Sequence, residues 1–125
     1  MTDNPLFERV ALIGIGLIGS SLARRIKRDN LARHIVANAR TQATLDKVVE
    51  LGIADSVSID PVEAVTGADL VVICSPLGTY AAIGAAISDH LSEGAIVSDV
   101  GSVKGMVLRD LGPVVPSHAH LVPAH

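Results

Sequence analysis

Aromatic side chains are almost missing from this chain: Phe7 and Tyr80 supply the whole 2%, and tryptophan is absent. That leaves almost nothing for stacking nucleic-acid bases or caging a methylated cation. Cysteine is scarce as well. With Cys74 alone no internal disulfide is possible, which leans toward a reducing compartment, and Cys74 itself reads as a core thiol. Positive charge is not in excess: the formal net charge is −3 at pH 7, which argues against a binder of phosphate backbones. Long apolar runs are lacking too. The most apolar stretch, residues 10–23, is broken by three glycines and two serines and leads into Arg24-Arg25. It is too short and too interrupted to cross a bilayer. The first residues, Met1-Thr2-Asp3-Asn4, lack the positive start of a secretory signal. The expectation is a cytoplasmic protein with neither nucleic acid nor membrane as a partner.

What is present fits one compact unit. A chain of 125 residues with 49% hydrophobic and 18% charged residues buries about two-thirds of its unfolded surface in one core. Without aromatics, that core must be Val, Ile, Leu and Ala, the usual filling of a parallel sheet covered by helices. Apolar runs alternate with helical periods along the chain. Residues 9–13 form a first strand, and Ile18, Leu22 and Ile26 the stripe of a first helix with Arg24, Arg25, Lys27 and Arg28 on other faces. Residues 35–39 read as strand two. Leu45, Val48 and Val49 mark a second helix, ended by Gly52 in a left-handed cap. Asp60-Pro61-Val62-Glu63 is a compact helix start: Asp60 caps, Pro61 suits the first turn, Glu63 can reach back, and Gly67 stops the helix. Residues 70–74 make the strongest strand, apolar throughout and so buried on both faces. Tyr80, Ile83, Ile87 and Leu91 then form a helical stripe, and residues 95–98 a fourth strand. Val103, Val107 and Leu111 suggest one more helix, and residues 121–122 a fifth strand. The sum is an open, mostly parallel α/β sheet without repeats or linkers.

Between strand one and helix one stands Gly14-Ile15-Gly16-Leu17-Ile18-Gly19. Alone the pattern is weak; between a strand and a helix each glycine has a mechanical duty. Gly14 permits the tight turn, Gly16 lets a diphosphate approach the backbone, and Gly19 lets the helix pack close to the strand. The free amides at the helix start then face the phosphates, aided by the helix dipole. No Lys-Ser or Lys-Thr follows the last glycine, which disfavours a kinase-type phosphate loop. The fold class is a Rossmann-type doubly wound sheet, and the cofactor is NAD or NADP.

An NAD site places Asp or Glu about twenty residues beyond the fingerprint, at the end of strand two. Here that position is Ala39, followed by Arg40 and Thr41. A guanidinium at this point can grip a 2′-phosphate through paired, charge-assisted hydrogen bonds. Its alternatives are a solvated surface residue or a plane stacked on adenine. The lean is toward NADP.

Two further stretches narrow the field. Ser98-Asp99-Val100-Gly101-Ser102-Val103-Lys104-Gly105 and Leu121-Val122-Pro123-Ala124-His125, with the opening Val10-Ala11-Leu12-Ile13 and its glycine turn, resemble the prephenate and arogenate (cyclohexadienyl) dehydrogenases of tyrosine biosynthesis. The likeness covers essentially the whole chain. It implies an oxidative decarboxylation of prephenate or arogenate, with hydride passing to NAD(P)+. It also implies that Ser102 and His125 flank the nicotinamide, His125 taking the alcohol proton and Ser102 holding the substrate hydroxyl or orienting the histidine. By itself Ser102 reads equally as a helix cap. The family's largely helical C-terminal domain, which dimerises and supplies an arginine for the substrate carboxylate, is absent from these residues. The expectation is therefore one nucleotide-binding domain over 1–125, truncated before its substrate domain and inactive alone.

The remaining candidates carry two readings each. Ser75, Pro76 and Thr79 follow strand three, where such domains touch the adenosine half, yet they also suit a proline turn and helix cap. Asp99 either faces the nicotinamide or anchors its loop, and Lys104 reads as an ion-pair partner. His118, His120 and His125 lack a carboxylate or thiolate to complete a cation site, so no metal is expected. Two other classes stay open: another dehydrogenase of the 6-phosphogluconate and 3-hydroxyacid group, and a non-catalytic nucleotide-sensing domain.

Overall fold

The computed structural model describes residues 5–75, 77–99 and 119–121. The first strand, β1 (Phe7–Ile13), already shows the plan of the molecule. Its Ala11 and Ile13 pack into one buried cluster and its Val10 and Leu12 into another, because successive strand side chains point to opposite faces. Both faces are covered, so the strand is apolar throughout its second half rather than alternating.

Helix α1 (Leu17–Arg28) follows, then β2 (Ala32–Asn38), α2 (Gln42–Leu51), β3 (Ser56–Ser58) and α3 (Pro61–Val65). The chain returns through β4 (Leu70–Ile73), a 3-10 turn at Leu77–Thr79, α4 (Tyr80–Ile87), β5 (Ile96–Asp99) and β6 (His120–Leu121). The strand order is β3-β2-β1-β4-β5-β6, and every pairing is parallel. Ala23 and Ile26 of α1, with Leu45 and Val48 of α2, cover the Val10–Leu12 face. Ala64 and Val65 of α3, with Tyr80 and Ile87 of α4, cover the other. The winding reverses between β1 and β4. There the loops leaving the strand ends diverge, opening a crevice at the carboxyl edge, where sheets of this kind bind ligands.

Local chemistry sets most element ends. Thr41 caps α2, its hydroxyl accepting from Thr44 N–H at 3.4 Å, and Gly52 closes that helix at φ 65°. Asp60 caps α3 by accepting from Val62 N–H at 2.9 Å, Pro61 fills its first turn, and Gly67 beyond it has φ 78°. Arg25, Lys27 and Arg28 sit in the last turn of α1, where the helix dipole favours cations.

Two expectations change. Among the described residues the sheet has six strands in place of the five expected, because the Ser-Val-Ser segment of β3 joins the edge. Its pairing is dictated by the neighbouring ladder, Val36 to Ser56 through Asn38 to Ser58. Asp55 anchors the entry, its carboxylate accepting from Ile35 N–H at 2.8 Å. A three-residue edge strand needs no apolar period, so none appears in the sequence. In α1, the buried stripe is Gly19, Ala23 and Ile26, with Leu22 partly covered, while Ile18 is 61% exposed. The close approach that Gly19 permits rotates the helix onto its smaller residues. The helix expected around Val103–Leu111, together with Ser102, Pro76, Val122 and His125, lies outside the described residues.

Candidate functional site

A cleft of about 660 Å³ opens at the carboxyl edge beside the β1–α1 turn, within the usual range for ligand sites. Gly14 and Ile15 of the glycine turn, which leaves β1 at Ile13, line it. Gly14 adopts φ +71°, a conformation costly for any residue bearing a Cβ. A Cβ there would also lie 2.4 Å from Ser75 Cβ, so this turn and the end of β4 are in close contact. Gly16 is different. Its φ is −133°, and a Cβ there would meet nothing within 4 Å, so the backbone faces open space. Gly19 is different again: its Cβ would stand 3.1 Å from Ile15 Cγ1 and 3.2 Å from Cys74 Cβ, pressing α1 against β4. The tight turn at Gly14 and the close packing at Gly19 are as the sequence suggested, and Gly16 leaves its backbone open.

The start of α1 lacks any side-chain cap, unlike α2 and α3. Its first helical bond, Ser20 N–H to Gly16 O, measures 2.8 Å, so the amides of Gly16, Leu17 and Ile18 precede the ladder. Uncapped amides beside an unobstructed backbone form an anion site with the dipole in its favour.

At the other end of the cleft, β2 delivers Ala39, Arg40 and Thr41. Ala39 is buried and carries no acceptor for ribose hydroxyls. Arg40 is exposed, lines the cleft, and has no hydrogen bond or ion pair among the described residues. It is also the one charged side chain on the described lining. Thr41 lines the same corner, and its hydroxyl lies 2.9 Å from that of Thr44. Ser75 and Thr79 close the side nearest β4, their hydroxyls 2.8 Å apart.

Not every expected residue joins this group. Gly16, Ile18 and Gly19 stand beside the cleft rather than in its lining, Ile18 exposed at the first turn of α1. Asp99 ends β5 at 1% exposure, its carboxylate accepting from Tyr80 O–H at 3.5 Å. It is buried beneath the edge. In contrast, Asn38, Ile59, Pro61, Ala82 and Ile83 line the cleft without having been read as site residues from the sequence. For Asn38 a signal existed: it is the lone amide in the apolar run 35–39. For Ile59, 53% exposed, the signal is visible only after folding.

Cys74 sits under the turn, its main-chain N–H donating to Ile13 O at 2.8 Å. Burial pushes its thiol up to about 12, so it is no nucleophile at neutral pH. The folded thiol holds its proton well above the pH at which the unfolded one, near 9, releases it. Stability from this source is therefore full below pH 9 and lost as pH rises toward 12. Between pH 8.5 and 10 the parent is expected to lose about 1 kcal/mol of unfolding free energy that Cys74→Ala does not lose. Parallel denaturation curves for the two proteins across that interval would refute this.

Known proteins share this sequence pattern and fold. Residues 22–125 match the family of the prephenate dehydrogenase nucleotide-binding domain. Cyclohexadienyl dehydrogenase of Zymomonas mobilis is 35% identical over 120 residues, which is 96% of this chain and 41% of that protein. Prephenate dehydrogenase of Bacillus subtilis is 26% identical over 123 residues, 98% of this chain and 33% of its own length. Among solved structures, A. aeolicus prephenate dehydrogenase in complex with hydroxyphenyl propionate and NAD+ superposes with a TM-score of 0.80 at 30% identity. That match covers 90% of this chain and 40% of the other. Synechocystis arogenate dehydrogenase gives 0.78 at 29% identity, over 85% of this chain and 37% of its own. The chain thus spans between a third and about two-fifths of these relatives. On the match of residues 22–125 and the 35% identity over 96% of its length, this chain belongs to the prephenate dehydrogenase family, in the part of it that forms the nucleotide-binding domain.

Proposed function

We propose that residues 1–125 form one domain that binds NADP, or less tightly NAD, and serves prephenate or arogenate dehydrogenation. The observation that carries this reading is the β1–α1 turn, where Gly16 faces open space at the uncapped start of α1. The diphosphate sits on the amides there, with Gly14, Ile15, Gly16, Leu17, Ile18 and Gly19 shaping the turn. The adenosine half runs along the cleft toward Ala39, Arg40 and Thr41, between Ser75 and Thr79 on one side and β2 on the other; Pro76, assigned to the same half from the sequence, lies outside the described residues. Arg40, with no anionic partner among the described residues and no carboxylate at Ala39, supports a 2′-phosphate over a free ribose.

A bound oxidised pyridine nucleotide would accept a hydride from the substrate ring as carbon dioxide leaves. The residues assigned to the proton are His125, as base for the substrate hydroxyl, and Ser102, as its hydrogen-bonding partner; Asp99 anchors the end of β5. Proteins of this family's full length would add the substrate-binding remainder and pair as dimers. Activity on prephenate or arogenate belongs to that longer protein.

Calorimetric titration with NADPH and NADH tests the reading. The expected result is NADPH binding at least tenfold tighter than NADH, with the advantage erased in Arg40→Ala. Tighter NADH binding would overturn the NADP assignment. No heat or shift with either nucleotide at millimolar concentration would overturn the function altogether.

A further inference from the structure

The three glycines explain why the turn is bare, but a bare turn has no stiffness of its own. Asn38 supplies it. This last residue of β2 is 5% exposed, and each of its polar groups that faces the turn or β3 is engaged. Its Oδ1 accepts from Gly14 N–H at 3.1 Å, and its main-chain oxygen accepts from Ile15 N–H at 2.8 Å. Its Nδ2 donates to Ser58 O at 3.1 Å. The bridge continues. Ser58 Oγ accepts from Asp60 N–H at 3.1 Å, and Asp60 caps α3. Ile59 and Pro61, carried on that segment, form part of the cleft wall.

We infer that Asn38 is a positioning residue for dinucleotide binding: it engages the Gly14 and Ile15 amides, leaves those of Gly16, Leu17 and Ile18 to the diphosphate, and fixes the turn's distance from the Ile59–Pro61 wall. An amide already donating to a buried oxygen cannot turn toward a phosphate without losing that bond. The carboxamide is suited to this place because it offers an acceptor and a donor on one short, neutral side chain. Ionised aspartate would lack the donor for Ser58 O and set a buried negative charge beside the diphosphate. The inference rests on the nucleotide reading of the cleft.

That difference gives a test by pH. NAD+ is the probe, since its diphosphate keeps a constant charge between pH 5.5 and 8. At pH 8, Asn38→Ala and Asn38→Asp are both expected to bind NAD+ at least about twentyfold more weakly than the parent. At pH 5.5 the aspartate variant is expected to recover to within about threefold, because its protonated carboxyl again donates and accepts. The alanine variant has nothing to protonate and stays weak. His34 on β2, Arg40 just beyond it, Asp55 before β3 and Asp60 at the cap of α3 are the titratable and charged side chains that flank this network, and all are common to the three proteins, so their charges cancel in the comparison. Hydrogen exchange on the parent supplies an arm independent of any variant. The Gly14 and Ile15 amides are expected to be protected without ligand, while those of Gly16 and Leu17 exchange quickly until NAD+ is added. Binding within twofold of the parent for both variants at pH 8, a flat profile for Asn38→Asp, or fast exchange at Gly14 would each overturn the inference. Failure of the parent itself to bind would instead strike the nucleotide reading, leaving the exchange pattern of the free turn to decide the role of Asn38.

Discussion

Gly14→Ala is expected to lower the melting temperature by about 10 °C or more, the largest stability effect of any single methyl group in this cleft. Two costs add. Holding an L-residue at φ +71° is worth about 1–2 kcal/mol. The new Cβ also meets Ser75 at 2.4 Å from its Cβ, 3.0 Å from its Cα and 3.1 Å from its nitrogen. Two of those three atoms are backbone, so no rotamer change clears the way. Forcing β4's end aside costs about 1–3 kcal/mol, as overpacking of a core does. A total near 3 kcal/mol in a domain of this size corresponds to the stated shift. Thermal unfolding followed by circular dichroism measures it. A melting point within about 2 °C of the parent would show that turn and strand end are not in contact.

Two residues along the turn, the expected outcome inverts. Gly16→Val should leave the fold nearly intact and abolish most nucleotide binding. At φ −133° any residue is comfortable, and a side chain would point into open space. The loss of glycine at the helix cap costs about 1 kcal/mol, a few degrees of melting temperature. The branched side chain, however, occupies the space into which the diphosphate must come, and it shields the amides of α1. A fall in NADPH affinity of about a hundredfold or more is expected, equivalent to nearly 3 kcal/mol. Calorimetry on the folded variant reads it directly. Retention of parental affinity to within threefold would mean that the ligand lies elsewhere. Taken together the two variants separate a glycine that the protein needs from a glycine that the ligand needs.

Much of this site was legible before any coordinates. The spacing of Gly14, Gly16 and Gly19 between an apolar run and a helical stripe already distinguished their three tasks, because each task follows from a missing Cβ at a fixed point of a strand–turn–helix. Gly52, Asp60 and Gly67 were legible for a similar reason: caps act on backbone groups within a few residues. The buried strands announced themselves as unbroken apolar runs. Ile18 misled, since a four-residue period fits more than one face of a helix. The face chosen depends on how near the neighbour comes, which Gly19 and Cys74 settle between them. The three polar residues of β3 carried no strand signal, because an edge strand takes its conformation from the ladder beside it.

Glycine spacing, element caps and strand composition are properties of short stretches, and the amino-acid order alone determined them: an α/β sheet with a tight glycine turn after its first strand. The tertiary structure decided what depends on distant partners. Asn38 meets Gly14 across 24 residues and Ser58 across 20. Ser75 is pressed against Gly14 only because β4 returns to lie beside β1. Ile59 and Ile83 share a wall with Arg40 only once α3 and α4 have packed on one face of the sheet. Such contacts are set by strand order and helix packing, which bring together residues whose local patterns say nothing of one another.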